Sequence, residues 1–438
     1  MSSDFDAEYR SKLRKPDDAV AGLAENSLVI FGTGLAEPQL LLWALSNRLR
    51  DDNLARIRVF GGPPGYHAED SICGSDVADR IERVCQFVGP AERDNIRAGR
   101  VSCLPHQFHQ IPRLIEETMD VDLAVTTVSP MDDEGYFTLG TNNDFIGVSV
   151  RCARQVIVEV NPNMPRVHGD TLLHIHDVDL LVENQEPLPP VERVLGTSVD
   201  ETIAQRIAEM VPDGATLQVG SGALPGMVCA ALANHRDLGI HTELMVPGLL
   251  DLVRCGAANG SRKTEKPGKH VFTLVVGDAD DLALVHDNPA FESHPVTYTN
   301  HPSVIARNDR MISINAALEI DLQGQINAES LGGYQFSGAG GQLDFVRGSY
   351  DSKDGKSILA FHATARGGTA SRVVPVLPAG TVVTTPRSDT HWVVTEFGAA
   401  NLKGMSVRQR ALAIIELAHP NFRDSLRRAS EELHLVSP

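Results

Sequence analysis

Aromatic residues are scarce in this chain: two Trp, six Tyr and fourteen Phe make up 5% of its 438 residues. So thin a supply argues against a base-stacking nucleic-acid platform. Positive charge is also in deficit, with 39 Lys and Arg against 57 Asp and Glu, a formal net charge of −18. Non-specific nucleic-acid binding needs a basic surface that releases counterions, and the overall balance excludes it. An anionic small molecule stays possible wherever basic residues gather locally. Cysteine is limited to Cys73, Cys85, Cys103, Cys152, Cys229 and Cys255, with no CxxC pair, so buried reduced thiols are expected. No stretch approaches the run of about 20 apolar residues that crosses a bilayer. The first 14 residues are charged and lack an apolar core, so no signal peptide is expected. The expectation is a cytoplasmic protein with no nucleic-acid and no membrane partner. What is present is an ordinary globular balance, 42% hydrophobic and 22% charged. A chain of this length favours two or three domains and can bury a large core without disulfides or metals.

Short β-rich runs alternate with helical patterns, which points to α/β. Leu28 to Phe31 reads as a buried strand, followed by Gly32-Thr-Gly34, Pro38 and a helix with Leu41, Ala44, Leu45 and Leu49 on its apolar face. The device returns 188 residues later: Ala215 to Val219, then Gly220-Ser-Gly222, then a helix opened by Pro225. A second pair agrees. The strand Leu123 to Val128 leads to Asp132 and Gly135, and the strand Met311 to Ile314 leads to Asp321 and Gly324, an offset of 189. Two features at nearly one offset suggest a duplicated domain. The Pro-rich, polar stretch Glu183 to Val194 reads as the linker, giving domains over residues 1–187 and 188–438. Near the end, Val407, Ala411, Ile414 and Ala418 share one helical face.

Three stretches could carry chemistry. The turn after Val219 (Gly220, Ser221, Gly222, Ala223, Leu224) lets a ligand approach the backbone beside a helix start. Its spacing misses the full dinucleotide fingerprint, and a lone Gly-x-Gly is more often structural. Glu243 lies 21 residues after Gly222, which keeps a nicotinamide-dependent oxidoreductase as a rival reading; an arbitrary Glu is more often a cap or surface group. Residues 332–341 hold five glycines within ten positions. Such a loop is costly to order, so backbone contact with a ligand suits it better than a purely structural role. Arg347, Lys353, Lys356 and Arg366 follow as a local basic cluster, or as a solvated surface. His168, His174 and His176 lack ligands at zinc spacing, so no metal site is expected. Ser221 has no nucleophile elbow around it, which disfavours a serine hydrolase.

Longer motifs carry a resemblance along nearly the whole chain. They are Gly-Thr-Gly-Leu-Ala-Glu-Pro38, Val-Ser-Pro-Met-Asp-Asp-Glu-Gly-Tyr-Phe137, Asn-Met-Pro-Arg-Val-His-Gly-Asp170, Gly-Ile-His-Thr-Glu243, Tyr-Thr-Asn-His-Pro302, Ser-Gly-Ala-Gly-Gly-Gln-Leu-Asp-Phe345 and Val-Val-Thr-Glu-Phe-Gly398. The chain resembles the acetyl-CoA hydrolase/transferase family of class I CoA-transferases, which includes 4-hydroxybutyrate and butyrate:acetate CoA-transferases. The resemblance implies two similar open α/β domains with the active site at their interface. It implies Glu243 as nucleophile, the N–H groups of Val219 and Gly341 as oxyanion donors, and Asn300 as an orienting side chain. It implies contacts to coenzyme A from Val219 to Leu224 and near Gly341, with Arg366 as the candidate to take over a phosphate contact that a lysine makes in many relatives, unless that contact is lost. Coenzyme A would enter as a substrate thioester with no permanently bound cofactor, in a homodimer that exchanges short-chain acids. Acetate, butyrate, 4-hydroxybutyrate, succinate and itaconate all remain open as those acids. An acyl-CoA hydrolase using the same residues is the alternative, and a non-catalytic acyl-CoA sensor a further one. Two departures stand out: Val246-Pro247-Gly248 where the family often carries Ser-Asp-Gly, and Arg366-Gly367-Gly368 where many relatives have a lysine.

Overall fold

Leu28–Phe31 (β1) sends its side chains alternately to two different cores. Leu28 and Ile30 enter one, and Val29 and Phe31 enter the other. A strand buried on both faces has no polar alternation to show, which is why it reads as a continuous apolar run. The computed structural model describes residues 4–51, 53–191 and 193–437. The extreme ends of the two predicted domains and Glu192 of the predicted linker lie outside the described residues. The chain forms two compact units: Met1–Glu192 with Val271–Thr299, and Arg193–His270 with Asn300–Pro438.

The first unit is built on a seven-stranded parallel sheet. Its other strands are Ile57–Gly61 (β2), Ile81–Cys85 (β3), Val101–Cys103 (β4), Leu123–Val128 (β5), Gln155–Val160 (β6) and Leu180–Glu183 (β7). Their order is β7-β6-β5-β1-β2-β3-β4. Helix α1 (Gln39–Arg50) buries Leu41, Leu42, Ala44, Leu45 and Leu49, as its sequence periodicity predicts. Its amino end is capped from β6: Glu159 accepts the N–H groups of Leu40 at 2.8 Å and Leu41 at 3.2 Å, and the Asn184 amide at 2.6 Å. A carboxylate suits that end, where amide hydrogens lack partners within the helix.

The second unit carries a six-stranded sheet. Its strands are Thr216–Val219 (β8), Gly239–Ile240 (β9), Met311–Ala316 (β10), Lys356–Ala360 (β11), Trp392–Thr395 (β12) and Gly398–Asn401 (β13). The order is β9-β8-β10-β11-β12-β13, parallel except for the last hairpin. Read from β2 and from β9, the spatial order β2-β1-β5-β6-β7 corresponds to β9-β8-β10-β11-β12, with β3 and β4 added beyond β2 in the first sheet alone. The turns after β5 and β10 also match. Asp132 Oδ1 accepts from the N–H groups of Glu134 and Tyr136, and Asp321 Oδ1 from those of Gln323 and Gln325. Gly135 and Gly324 follow at φ +85° and +92°.

Residues 271–299 pack with the first unit, so the chain passes between units three times and not once at a single linker. The reason is a small sheet in which Phe291–Ser293 lies between His270–Phe272 and His168–Gly169. The helix expected to open at Pro225 starts two residues earlier, as Ala223–Ala231 (α2), capped by Gly222 at φ +112°. Val407 proves exposed, while Ala411, Ile414 and Ala418 are buried as the periodicity predicts. Among the described residues, no helix is long and apolar enough to cross a membrane.

Burial raises the Glu159 carboxyl to about 7, against the opposing pull of its hydrogen bonds. The native state therefore holds a proton that the unfolded chain releases near the usual carboxylate range. This contribution to stability is present at low pH and fades as pH rises through about 7. Glu159→Gln should flatten the decline of the thermal midpoint between pH 5 and 8. An unchanged slope in thermal melts would contradict this.

Candidate active site

In the second unit the strand order reverses at β8. The chain goes from β8 to β9 on one side, then to β10 on the other. In open α/β sheets, ligands bind outside the carboxyl ends of the strands at such a switch point. Gly220, Ser221, Gly222, Ala223 and Leu224 occupy this place, with Ser221 and Gly222 exposed and Leu224 buried. Thr216 and Gly220 donate their N–H groups to Arg310 and Ile314, toward β10. By the alternation of a parallel ladder, the Val219 N–H faces the other neighbour, β9. That strand ends at Ile240, so the Val219 amide lies where the chain runs on toward Glu243. Below the turn, Gln218 and Asn315 exchange two amide hydrogen bonds, at 3.1 and 3.0 Å, and tie β8 to β10.

Glu243 is half-buried three residues past β9. The fully buried Asn300 donates from Nδ2 to Glu243 Oε2 at 2.6 Å. The Asn300 Oδ1 acceptor is buried without a partner among the described residues. Gly341 closes this pair from a third segment. A Cβ built there would overlap both Glu243 Oε2 and Asn300 Nδ2. Gly341 is also the cap of α3 (Gln342–Asp351), so its neighbourhood is the amino end of a ten-residue helix. Such an end favours negative charge and points amide hydrogens outward. Farther along α3, a Cβ at Gly348 would meet Ile305 Cβ at 2.5 Å and the Pro302 carbonyl at 2.9 Å. The second glycine thus lets α3 lie directly on the segment that follows Asn300. Glu243, Asn300, Gly341 and Val219 all belong to the second unit.

Other predicted residues are not gathered here. Arg366 sits at the exposed turn of the hairpin Thr364–Ala365 and Ala370–Ser371, at φ +52°. The expected basic cluster is largely absorbed by structure. Arg347 pairs with Asp389 at 3.0 Å, and Lys356 donates to the Met210 carbonyl at 2.7 Å, at the end of helix Ser198–Met210. His168 pairs with Asp287, and His176 with Glu8 beside the His174 ring. Among the described residues, no group of three His, Cys, Asp or Glu side chains is placed to hold a metal ion. In the departing turn, Val246 is a buried apolar cap of helix Pro247–Arg254, and Gly248 lets that helix approach Cys229. Sequence reasoning missed the Gln218–Asn315 pair. Its partners are 97 positions apart, and neither amide belongs to a local motif.

Known proteins resemble this chain along nearly its whole length. The acetyl-CoA hydrolase/transferase N-terminal domain matches residues 2–192, and the C-terminal domain of the same family matches residues 277–430. The chain is 41% identical to the succinyl-CoA:cyclohexane-1-carboxylate CoA transferase of Geobacter metallireducens, over 99% of this chain and 98% of the relative. It is 39% identical to the 4-hydroxybutyrate coenzyme A transferase of Clostridium kluyveri, over 95% of this chain and 97% of that protein. The crystal structure of RipA from Yersinia pestis superposes with a TM-score of 0.95 at 46% identity, covering 99% of this chain and 100% of RipA.

Gly341 has φ −90°, a conformation that any residue adopts. Gly341→Ala should therefore fold normally yet displace Glu243 from Asn300. A crystal structure of the variant that retains the 2.6 Å contact would contradict this.

Proposed function

The chain belongs to the acetyl-CoA hydrolase/transferase family and is a CoA-transferase, and from that premise we propose that Glu243 is the group that carries coenzyme A between two carboxylic acids. The observation that supports this reading is the meeting of Glu243, Asn300 and the Gly341 backbone at one point.

The Glu243 carboxylate attacks the carbonyl of an acyl-CoA thioester and expels the coenzyme A thiolate, leaving a mixed anhydride. The thiolate then attacks the glutamyl carbonyl. The first acid departs as a carboxylate, and a glutamyl-CoA thioester remains. A second carboxylate attacks that thioester, and the two steps run in reverse to give the new acyl-CoA and free Glu243. Each tetrahedral intermediate places negative charge on an oxygen. Backbone amides of Val219 and Gly341 are suited to hold it, because amides fixed by a strand end and a helix start need no reorganisation during reaction. Asn300 holds the attacking carboxylate in one orientation, which converts binding into positioning. The turn from Gly220 to Leu224 accepts part of coenzyme A at the switch crevice. Arg366, on its exposed hairpin, is assigned to a phosphate of the same molecule. Coenzyme A is thus a substrate and not a resident group, and the enzyme works as a cytoplasmic homodimer.

Incubation with acyl-CoA alone should add the mass of coenzyme A to the peptide that contains Glu243, and borohydride should trap the same site. Glu243→Ala should abolish both the adduct and turnover. Gly341→Ala, which crowds one oxyanion donor, should lower the rate by about 10²–10³. Full activity of Glu243→Ala with no adduct in the parent enzyme would end this reading. Thiol release that needs no acceptor acid would instead mark the enzyme as a hydrolase.

A further inference from the structure

Lys263 is the most deeply buried lysine described in the second unit, only 4% exposed, in a loop that otherwise carries exposed or half-buried charges. Lysine is almost never buried without compensation, because withdrawing an ammonium from water is costly. Here the compensation is specific. Nζ donates to the Ile240 carbonyl at 2.9 Å and to the Lys269 carbonyl at 2.8 Å. The stem of the side chain runs across Gly239, where a Cβ would overlap Lys263 Cγ. Burial and the neighbouring Lys263 together push the His270 imidazole down to about 4.

The position of Ile240 gives these contacts meaning. Strand β9 is an edge strand, paired only with β8. Gly239 and His241 donate to Ala215, just before β8, and to Leu217 on it, so the Ile240 carbonyl between them points to the far side, where Leu238 bridges Ala258 and no further strand of the sheet follows. An edge carbonyl left to itself takes water and lets the strand end fray. The buried ammonium takes it instead, three residues before Glu243. Between them, His241 is buried with its ring edge-on to Phe345 of α3, and Thr242 donates to the Leu244 carbonyl at 3.1 Å. The chain is therefore held on both sides of β9 and along the step to Glu243, while α3 closes on that carboxylate at Gly341.

We propose that Lys263 is a positioning residue for the transfer reaction: its buried ammonium grips the end of the edge strand and so sets where the Glu243 carboxylate stands against Asn300 and Gly341. The inference rests on the reading of Glu243 as the covalent carrier. It touches neither substrate nor the reacting atoms, and acts through the backbone.

Lys263→Met keeps the length of the stem and removes the charge. Gly239→Ala keeps the charge and pushes the stem aside. Both should lower kcat by ~10- to 100-fold, the scale of a misplaced reacting group. KM for acyl-CoA should stay within about twofold, because the coenzyme A turn at Gly220 to Leu224 is untouched. Single-turnover formation of the borohydride-trapped adduct should slow in parallel. A purely structural lysine would instead lower the thermal midpoint and the folded fraction, and leave turnover per folded subunit unchanged; that result overturns the proposal. Where Lys263→Met does not fold, Gly239→Ala decides. Glu243→Ala, assayed alongside, separates the two failures. If it is inactive while both other variants turn over normally, only the role of Lys263 falls. If it is active, the carrier role of Glu243 falls as well.

Discussion

The contact of the Gly341 backbone with the Glu243–Asn300 pair is the constraint on which the site depends. A carboxylate and an amide 2.6 Å apart leave no room for a third side chain, so the segment that closes over them has to be glycine. The same helix start that supplies this glycine also presents amide hydrogens and a favourable field to negative charge. Gly348, two helical turns on, allows that helix to pack on the segment after Asn300. One helix with two glycines thus closes on the Glu243–Asn300 pair and packs beside it.

Each sheet reverses its strand order beside the strand that carries a Gly-x-Gly turn. The reversal opens a crevice at the carboxyl ends of the strands, because the connections leave in opposite directions. Interior carboxylates of both units accept backbone N–H groups, in the second unit Asp200 at a helix start and Asp321 in its turn; Glu243 is different. In the first, Glu159 and Glu37 are buried and accept backbone N–H groups at helix starts; desolvation raises each to about 7. They hold the fold together. In the second, Glu243 stays half-buried past a strand end, held by a neighbouring amide.

Strand positions were legible where burial is two-sided: Leu28–Phe31 and Leu123–Val128 have the bounds their apolar runs predict. The paired Asp and Gly turns were legible because an Asp accepting the N–H groups two and four residues on, before a glycine at positive φ, is a local device. The return of residues 271–299 to the first unit was not legible, since the pairing of Phe291–Ser293 with His168–Gly169 joins segments more than 120 positions apart. The basic cluster after the glycine loop misled for a related reason. Residue type shows that Arg347 and Lys356 are charged, but not that Asp389 and a helix end already engage them.

The motifs around Glu243, Asn300 and Gly341 could be read from residue order alone, together with the family they resemble and the alternation of strand and helix. These are properties of short segments, written in spacing and residue type. Only the folded chain brings Glu243 within 2.6 Å of Asn300, 57 positions away, and buries Lys263 against the carbonyl of Ile240. Contact between distant segments depends on how helices and sheets pack, and packing is a property of the whole interior.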